Sequence, residues 1–310
     1  MIRRILVPLD GSKRAEEALK VAAPLARAND GTLLLVQVVT APVALGPYGL
    51  GGPSVSTLYD EEEASASTYL QQVIASPDLA GLVTEPTILI GAPAQTIITW
   101  ASDAPADLIV LTSHGQTGPG RWALGSVTQH VVRHAPTPVL VIGVTDEPQR
   151  EVKAPSRLLV TLDGSPLAEQ ALAPAIEVLA ALAGPGNASL HLLEVVDWDL
   201  PAEQAAADQV LKLTREYLAS VAARVESAHA DVLRRPVTWQ VAVDHDTATK
   251  LIHVMETGEG AEPPGPFDLM AMATHGRSGI LRWALGSTTE RVLASVKHPL
   301  LIVRAKESAS

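Results

Sequence analysis

The 310-residue sequence contains no cysteine, which excludes disulfide bonds, thiol catalysis, iron–sulfur clusters and zinc sites with cysteine ligands. It also lacks an uninterrupted apolar run that approaches the roughly 18 residues of a membrane-spanning helix. The apolar run near the N-terminus, Ile5–Leu9, is too short for a secretory signal peptide. We therefore predict a cytoplasmic protein that does not insert into membranes.

Basic clusters are scarce as well. The net charge is −11, and neither half of the chain has a basic cluster larger than a pair such as Arg234-Arg235. Proteins that bind nucleic acid need a cationic stripe that displaces counterions from the phosphates, so we do not expect nucleic acid as a partner. Hydrophobic residues make up 47% of the sequence and charged residues 18%, which excludes intrinsic disorder.

The chain contains two copies of one domain. Three segments recur in the same order: ILVPLDGS at 5–12 returns as LLVTLDGS at 158–165, SHGQTG at 113–118 as THGRSG at 274–279, and RWALGS at 121–126 as RWALGS at 282–287. The offset between the copies is 153 residues at the start and 161 at the end, so they differ by insertions of loop size. We predict domains at 1–144 and 157–310, joined by a polar linker at 145–156.

Strand and helix patterns alternate in each half. Short continuous apolar runs are typical of buried parallel strands, and the Ala-rich amphipathic stretches between them are typical of helices. The predicted strands are Ile5–Leu9, Leu33–Val39, Thr87–Ile90, Leu108–Leu111 and Val139–Ile142, then Leu158–Leu162, Leu192–Val196, Val237–Val241, Leu269–Met272 and Leu300–Val303. The predicted helices of the first half are Lys13–Ala28, Glu61–Ala75, Ala94–Ser102 and Val127–His134. This alternation predicts two tandem doubly wound α/β domains, each a five-stranded parallel sheet flanked by helices. Ligands of such folds lie at the carboxyl ends of the strands.

Two stretches rich in Gly and Pro are predicted to be long loops. Ala41–Ser56 follows the second strand of the first half, and Thr257–Pro266 precedes the fourth strand of the second half. Loops of this length in a domain are either functional or loosely held surface insertions, and both interpretations apply here.

A Gly-Ser pair opens the last helix of each half, at Gly125-Ser126 and Gly286-Ser287. Free N–H groups, a hydroxyl and the positive end of the helix dipole together form a phosphate site. An equally good interpretation is structural, because Ser126 with Gln129 and Ser287 with Glu290 have the spacing of a capping box. The residues alone leave both interpretations open.

An aspartate follows the first strand of each half, Asp10 and Asp163, and a Gly-Ser pair comes next. A carboxylate at this position can accept hydrogen bonds from a ribose or an adenine. It can also belong to a turn in which the serine caps the next helix, as Ser165-Pro166 indicates for the second half.

Together these motifs resemble the universal stress protein family, over essentially the whole chain and as a tandem pair of family domains. The resemblance rests on the Asp-Gly-Ser after the first strand, the Ser/Thr-His-Gly loop after the fourth, and Gly-(nine residues)-Gly-Ser before the last helix. It implies an adenine-nucleotide alpha hydrolase-like fold. In nucleotide-binding members the motif Gly-(two)-Gly-(nine)-Gly-Ser/Thr holds the phosphates and ribose of ATP.

This sequence departs from the family pattern at two places. Thr112 and Ala273 replace the first glycine of the motif, where a side chain adds a Cβ close to the expected ribose and phosphate path. A Gly-x-Pro common in the family follows the third strand as Gly91-Ala92-Pro93, whereas the second half has Asp244-His245-Asp246. Two carboxylates would repel a triphosphate unless Mg²⁺ intervened, so we expect the first half to hold the stronger site.

The resemblance assigns nucleotide-binding residues in both halves, with adenine contacts near the first and second strands. In the first half they are Pro8, Leu9, Asp10, Gly11, Ser12, Val38, Gly91, Thr112, His114, Gly115, Gly125, Ser126 and Val127. In the second half they are Thr161, Leu162, Asp163, Gly164, Ser165, Val195, Ala273, His275, Gly276, Gly286, Ser287 and Thr288.

Several other residues are of types that can act in catalysis, metal binding or protein contacts, but the residues around them do not form a pattern that supports such a role. His114 and His275 could act as a general base or a phosphate ligand, but no nucleophile or orienting carboxylate stands at a fixed spacing, so we expect them to line a ligand site or support the loop. Three successive residues cannot easily converge on one metal ion, so Asp244-His245-Asp246 is predicted to be a solvated loop. Trp122 and Trp283 are expected to be buried anchors or part of a contact surface. We predict no catalytic and no metal site.

Three functions are compatible with the sequence. The first is a stress-response protein that binds ATP or a related adenine nucleotide, with Mg²⁺ held through the phosphates, and changes its contacts with an unidentified protein partner. The second is an interaction or scaffold module that has lost nucleotide binding, which Thr112 and Ala273 favour. The third is an enzyme, such as a slow ATPase or a nucleotidyl-transfer enzyme on a related fold, although the sequence has neither a P-loop lysine motif nor an obvious acid–base pair. Family members pair their last strands, so the resemblance implies a pseudo-dimer of the two halves and is compatible with a homodimer.

Overall fold

The computed structural model describes residues 1–40, 55–114, 124–143, 155–197, 204–274, 285–295 and 297–305. The first half contains β1 (Arg4–Leu9), α1 (Lys13–Glu16), α2 (Leu19–Ala28), β2 (Thr32–Val39), α3 (Val55–Ile74), β3 (Val83–Ile90), α4 (Pro93–Asp103), β4 (Leu108–Thr112), α5 (Ser126–His134) and β5 (Val139–Ile142). The second half contains β6 (Arg157–Leu162), α6 (Pro166–Glu169), α7 (Leu172–Ala183), β7 (Ser189–Asp197), α8 (Gln204–Ala228), β8 (Thr238–Asp244), α9 (Thr247–Thr257), β9 (Leu269–Ala273), α10 (Ser287–Ser295) and β10 (Leu300–Val303). The predicted alternation of strands and helices is confirmed.

The ten strands form one sheet in the order β3-β2-β1-β4-β5-β10-β9-β6-β7-β8. The strand pairs within each half are parallel, as the sequence predicts. In the first half β1 lies between β2 and β4, and in the second half β6 lies between β7 and β9. The strand order reverses at β1 and at β6, so the carboxyl ends of these strands open a crevice in which ligands of α/β sheets bind.

The two halves meet at their last strands. β5 and β10 pair antiparallel, with Leu301 opposite Leu140, so each strand covers an edge that its partner would otherwise expose. On one face of the sheet α2 contacts α7. On the other face Arg133 of α5 and Glu290 of α10 form an ion pair across the junction. The strand pairing implied by the family resemblance is therefore present within this chain.

Helices cover both faces of the continuous sheet. On one face α2 and α7 bury Leu25, Ile176 and Leu179 against the strands. On the other face α5 and α10 bury Val131 and Val292. The segment Pro166–Ala183 has the length and apolarity of a membrane span, but it is divided into α6 and α7, and α7 lies in this core.

The boundaries of three predicted elements were wrong. Lys13–Ala28 is two helices rather than one, because Ala18 N donates to the carbonyl three residues back, on Ala15, and tightens the chain between α1 and α2. The third helix begins at Val55 rather than Glu61. β3 begins at Val83 rather than Thr87 and passes through Pro86, which an edge strand tolerates because its N–H side can face solvent.

The predicted loops have different outcomes. The linker 145–156 and the loop Ala41–Ser56 lie mostly outside the described residues. Thr257–Pro266 is described, and the Arg157 guanidinium donates to the carbonyls of Pro263 and Pro264, at 2.6 and 3.2 Å. Both interpretations of this segment, a functional loop and a surface insertion, stay predictions.

Candidate functional site

The strands of each half deliver the predicted site residues to one edge of the sheet. Asp10 follows β1, Val38 lies near the end of β2, Gly91 follows β3, and Thr112 is the last residue of β4. In the second half Asp163, Val195 and Ala273 take the matching places on β6, β7 and β9. Leu9 and Leu162 were also assigned to the site, but their side chains are buried in the hydrophobic core, so they would meet a ligand through backbone atoms. Pro8 and Thr161 lie one residue further back in the same strands.

The turn after β1 is built by its own side chains. Asp10 Oδ1 accepts hydrogen bonds from the N–H and the hydroxyl of Ser12, at 3.0 and 2.6 Å. Ser12 Oγ in turn accepts the N–H of Ala15, at 3.1 Å, and so caps α1. Gly11 has a φ of 84°, a left-handed conformation that glycine adopts without strain. The turn interpretation of Asp10 is confirmed, and its contact with a ligand stays a prediction.

The second half repeats this turn almost atom for atom. Asp163 Oδ1 accepts from the N–H and the hydroxyl of Ser165 at the same 3.0 and 2.6 Å. Ser165 Oγ accepts the N–H of Ala168 and so caps α6. Pro166 lies in the first turn of this helix, a position that the fixed φ of proline favours. The two copies therefore build this turn with the same side-chain hydrogen bonds.

The last helix of each half, α5 and α10, was expected to begin with a capping box but has no such box. In α5 the N-cap is Gly125, no side chain caps the helix, and Gln129 N donates to Gly125 O at 2.9 Å. In α10 Glu290 N donates to Gly286 O at 2.9 Å, and the Glu290 side chain pairs with Arg133 instead of reaching back to the helix start. The capping-box interpretation was wrong, because Ser126 and Ser287 are the first helical residues and the glycines precede them.

The start of each helix is fastened to the end of the preceding strand. Gly125 N donates to Ser113 O at 2.8 Å, and Thr128 Oγ1 donates to Thr112 O at 2.8 Å. A Cβ at Gly125 would lie 3.2 Å from Ser113 O, closer than most side chains tolerate. Gly286 repeats this contact, with 3.2 Å to Thr274 O. Glycine therefore lets the helix terminus approach the strand.

This arrangement leaves donors at the helix terminus. The N–H groups of Ser126, Val127 and Thr128 precede the first intrahelical hydrogen bond, so the helix itself offers them no acceptor. They coincide with the positive end of the helix dipole, at the carboxyl edge of the sheet. In the second half Ser287 and Thr288 stand at the same place. Such a terminus is suited to a phosphate or another anion.

Thr112 and His114 are part of the loop that follows β4. The Thr112 side chain is buried, and its hydroxyl donates to His114 O at 2.9 Å. His114 Nδ1 lies 3.2 Å from Ser113 Oγ. Burial lowers the pKa of His114, and the positive charge of Arg14 lowers it further. The lowered pKa favours the neutral imidazole, which offers a hydrogen bond rather than a charge to an anion.

Two half-buried tyrosines next to the Asp-Gly-Ser turns were missed by the sequence analysis. Burial raises the pKa of the Tyr69 hydroxyl, and the carboxylates of Glu16 and Asp10 raise it further. Tyr217 of α8 has the same surroundings, with Glu169, Glu194 and Asp163. The signal that could have found them was the repeat itself, because a tyrosine stands on the long helix after the second strand in both halves.

The turns after β3 and β8 differ in charge. Asp244 ends β8, and Asp246 caps α9 by accepting the N–H of Thr249 at 3.1 Å. The Arg291 guanidinium donates to both oxygens of Asp246, at 2.8 and 2.7 Å. The hydrogen bonds from Arg291 hold the pKa of Asp246 well below its usual range, and the bonds from Thr249 contribute to a smaller degree. The segment is partly to fully solvent-exposed, as predicted, and the negative charge of Asp246 is offset by Arg291.

Some predicted residues cannot be placed. Gly115, His275, Gly276, Trp122 and Trp283 lie outside the described residues. Within the described residues no group of three or more His, Asp or Glu side chains is arranged to hold a metal ion.

Comparison with known proteins gives a consistent result. The sequence model of the "Universal stress protein family" matches residues 1–143 and 155–304. A universal stress protein from Mycolicibacterium smegmatis is 27% identical over 305 residues, which cover 97% of this chain and 97% of that protein. Both matches extend over the two halves.

One solved structure supports the fold over the whole chain. The crystal structure of a universal stress protein from Archaeoglobus fulgidus matches with a TM-score of 0.65 and 18% identity, over 97% of this chain and 98% of that one. A crystal structure of a universal stress protein in complex with cAMP matches 46% of this chain and 99% of that chain, with 23% identity and a TM-score of 0.37.

Proposed function

The chain belongs to the universal stress protein family, and on this premise we propose that each half binds ATP or a related adenine nucleotide without a catalytic step. The observation that carries the proposal is the uncapped terminus of α5, where Gly125 brings free N–H groups to the carboxyl edge of the sheet. The same geometry recurs at Gly286. The two helix N-termini, at Gly125 and Gly286, are the proposed phosphate sites. Each lies beside the crevice where the strand order reverses, which is the usual ligand position of this architecture.

The proposed pose follows from the order of the elements. The phosphates, with any Mg²⁺ held through them, lie at Ser126 and Val127 in the first half and at Ser287 and Thr288 in the second. The adenine and ribose lie toward the ends of β1 and β2, near Asp10 and near its copy Asp163. The binding is proposed to change contacts with a protein partner in the cytoplasm.

The first half is proposed to bind more tightly. Its turn after β3 is uncharged, whereas Asp244 and Asp246 lie at the corresponding turn of the second half. The Arg291 pair reduces the difference, because it offsets one of the two carboxylates. We therefore expect two sites that fill at different ATP concentrations.

Calorimetric titration of ATP with Mg²⁺ into protein freed of co-purified nucleotide tests the proposal. We expect about two sites per chain, one lost in Gly125→Asp and the other in Gly286→Asp. An aspartate is a good N-cap, so the helix persists while the carboxylate repels the phosphates. Gly125→Ala is the matched control, since it adds the same Cβ without the charge and should retain weakened binding.

The second candidate function is an interaction module without a nucleotide. Thr112 and Ala273 favour it, because they place buried side chains where nucleotide-binding members have glycine. The absence of both heat and a thermal shift at millimolar ATP would establish this alternative and reject the nucleotide proposal.

A further inference from the structure

The two proposed phosphate helices contact each other across the junction of the halves. Arg133, in the last turn of α5, forms an ion pair with Glu290, in the first turn of α10. The first half therefore supplies a cation to the helix that would hold the phosphates in the second half.

The position of Glu290 makes that cation significant. A carboxylate in the first turn stabilises the helix through its dipole, but it also repels an anion bound at the same terminus. The side chains of Arg133 and Glu290 are 34% and 39% exposed, so solvent screens the pair only in part. Arg133 offsets the charge of Glu290 within the first turn of the helix whose terminus would receive the phosphates.

The pair exists once, although the fold is duplicated. With the 161-residue offset of the last helix, the counterpart of Glu290 is Gln129, and the counterpart of Arg133 is Ala294. The first site therefore carries a neutral side chain where the second carries a carboxylate. The second site requires a charge from the other half, and the first does not.

We infer that Arg133 of the first half is a regulatory part of the nucleotide site of the second half, whose affinity it raises by neutralising Glu290. The inference rests on the proposed function, because it concerns the same helix terminus. It makes the second site dependent on the junction between the halves. A partner or a modification that separates α5 from α10 would weaken nucleotide binding in the second half.

The test isolates the second site in a Gly125→Asp background and measures its affinity for ATP by calorimetry. Arg133→Gln is expected to weaken binding about threefold to fivefold, the size of effect of one partly screened charge. Arg133→Gln/Glu290→Gln is expected to restore the affinity, because both charges are then absent. The difference between the single and double variants should shrink at 1 M salt.

A transplant into the first site serves as the matched control. In a Gly286→Asp background, Gln129→Glu is expected to weaken ATP binding by a similar factor, and Gln129→Glu/Ala294→Arg to recover it.

If Arg133→Gln leaves the affinity of the second site unchanged, the inference is overturned while the proposed function stands. If the double variant is as weak as the single one, the contact is structural and the inference is also overturned. A complete lack of ATP binding by the unmodified chain instead rejects the proposed function, and the inference with it.

Discussion

In the first half the turn after β3 leads into α4 without a side-chain cap, whereas in the second half Asp246 caps α9 and binds Arg291. Between these halves the backbone of the site barely differs. The hydrogen bonds of Asp10 with Ser12 have the same lengths as those of Asp163 with Ser165. The comparison indicates that duplication kept the backbone geometry of the site and let the surrounding charges diverge.

The second difference between the halves lies near the amino-terminal ends of the strands, at the edge of the sheet opposite the candidate site. His191 near the start of β7 is 1% exposed, its Nδ1 lies 2.7 Å from Thr238 Oγ1, and its ring is 5.5 Å from that of Phe267. Leu34 takes the matching position in β2, by the register with the first strand of each half. One half therefore buries a titratable group where the other buries a leucine.

The largest expected effect is a loss of stability in the second half alone. Gly258 ends α9 with a φ of 68°, and a Cβ there would lie 1.8 Å from Gly265 O. Gly258→Ala is expected to cost about 4 kcal/mol of unfolding free energy, from the left-handed conformation and from overpacking against backbone. Hydrogen exchange should show lost protection of β8 and β9, while β2 and β3 stay protected.

Gly81→Ala in the first half is the control for that variant. Gly81 has a φ of 78°, and a Cβ there would meet no atom within 4 Å. It is expected to cost about 1 kcal/mol, from the conformation alone. Equal costs at the two glycines would contradict the steric explanation.

The next effect concerns acid stability. Burial, and then the positive charge of Arg157, lower the pKa of His191 to about 4. The unfolded chain takes up this proton near pH 6.5, so stability is lost as the pH falls from about 6.5 toward 4. Between pH 7 and pH 4 the second half is expected to lose about 3 kcal/mol through this group. Hydrogen exchange of β7 at several pH values measures the loss.

His191→Leu makes the second half resemble the first at this position. The variant is expected to flatten the pH dependence of β7 protection over that range. Leu34→His is the converse, and it should bring acid sensitivity to β2. If β7 is equally acid-labile in His191→Leu, another group is responsible.

The smallest effect tests the equivalence of the two turns. Ser12→Ala and Ser165→Ala each remove one helix cap and the hydroxyl bond to the neighbouring aspartate. Each is expected to cost about 1 kcal/mol, measured by chemical denaturation. A difference above about 0.5 kcal/mol, beyond ordinary surface variation, would show that tertiary contacts distinguish the turns.

Much of the fold was predictable from local patterns. The strands Val139–Ile142 and Leu300–Val303 have the bounds expected from their apolar runs. The start of α5 was not predictable in this way, because the N–H of Gly125 donates to the carbonyl of Ser113, which no local pattern relates to it. A capping box is a local rule, and here a tertiary hydrogen bond moved the helix start by one residue.

The sequence by itself determined the duplication, the alternating α/β architecture and the Asp-Gly-Ser turns, because these depend on apolar periodicity and on side chains within a few residues of one another. The tertiary structure alone decided which charges meet. Arg133 and Glu290 are 157 residues apart in the chain, and Asp246 and Arg291 are 45 apart. Ion pairs between distant residues depend on how helices dock on the sheet, and no local pattern records that docking.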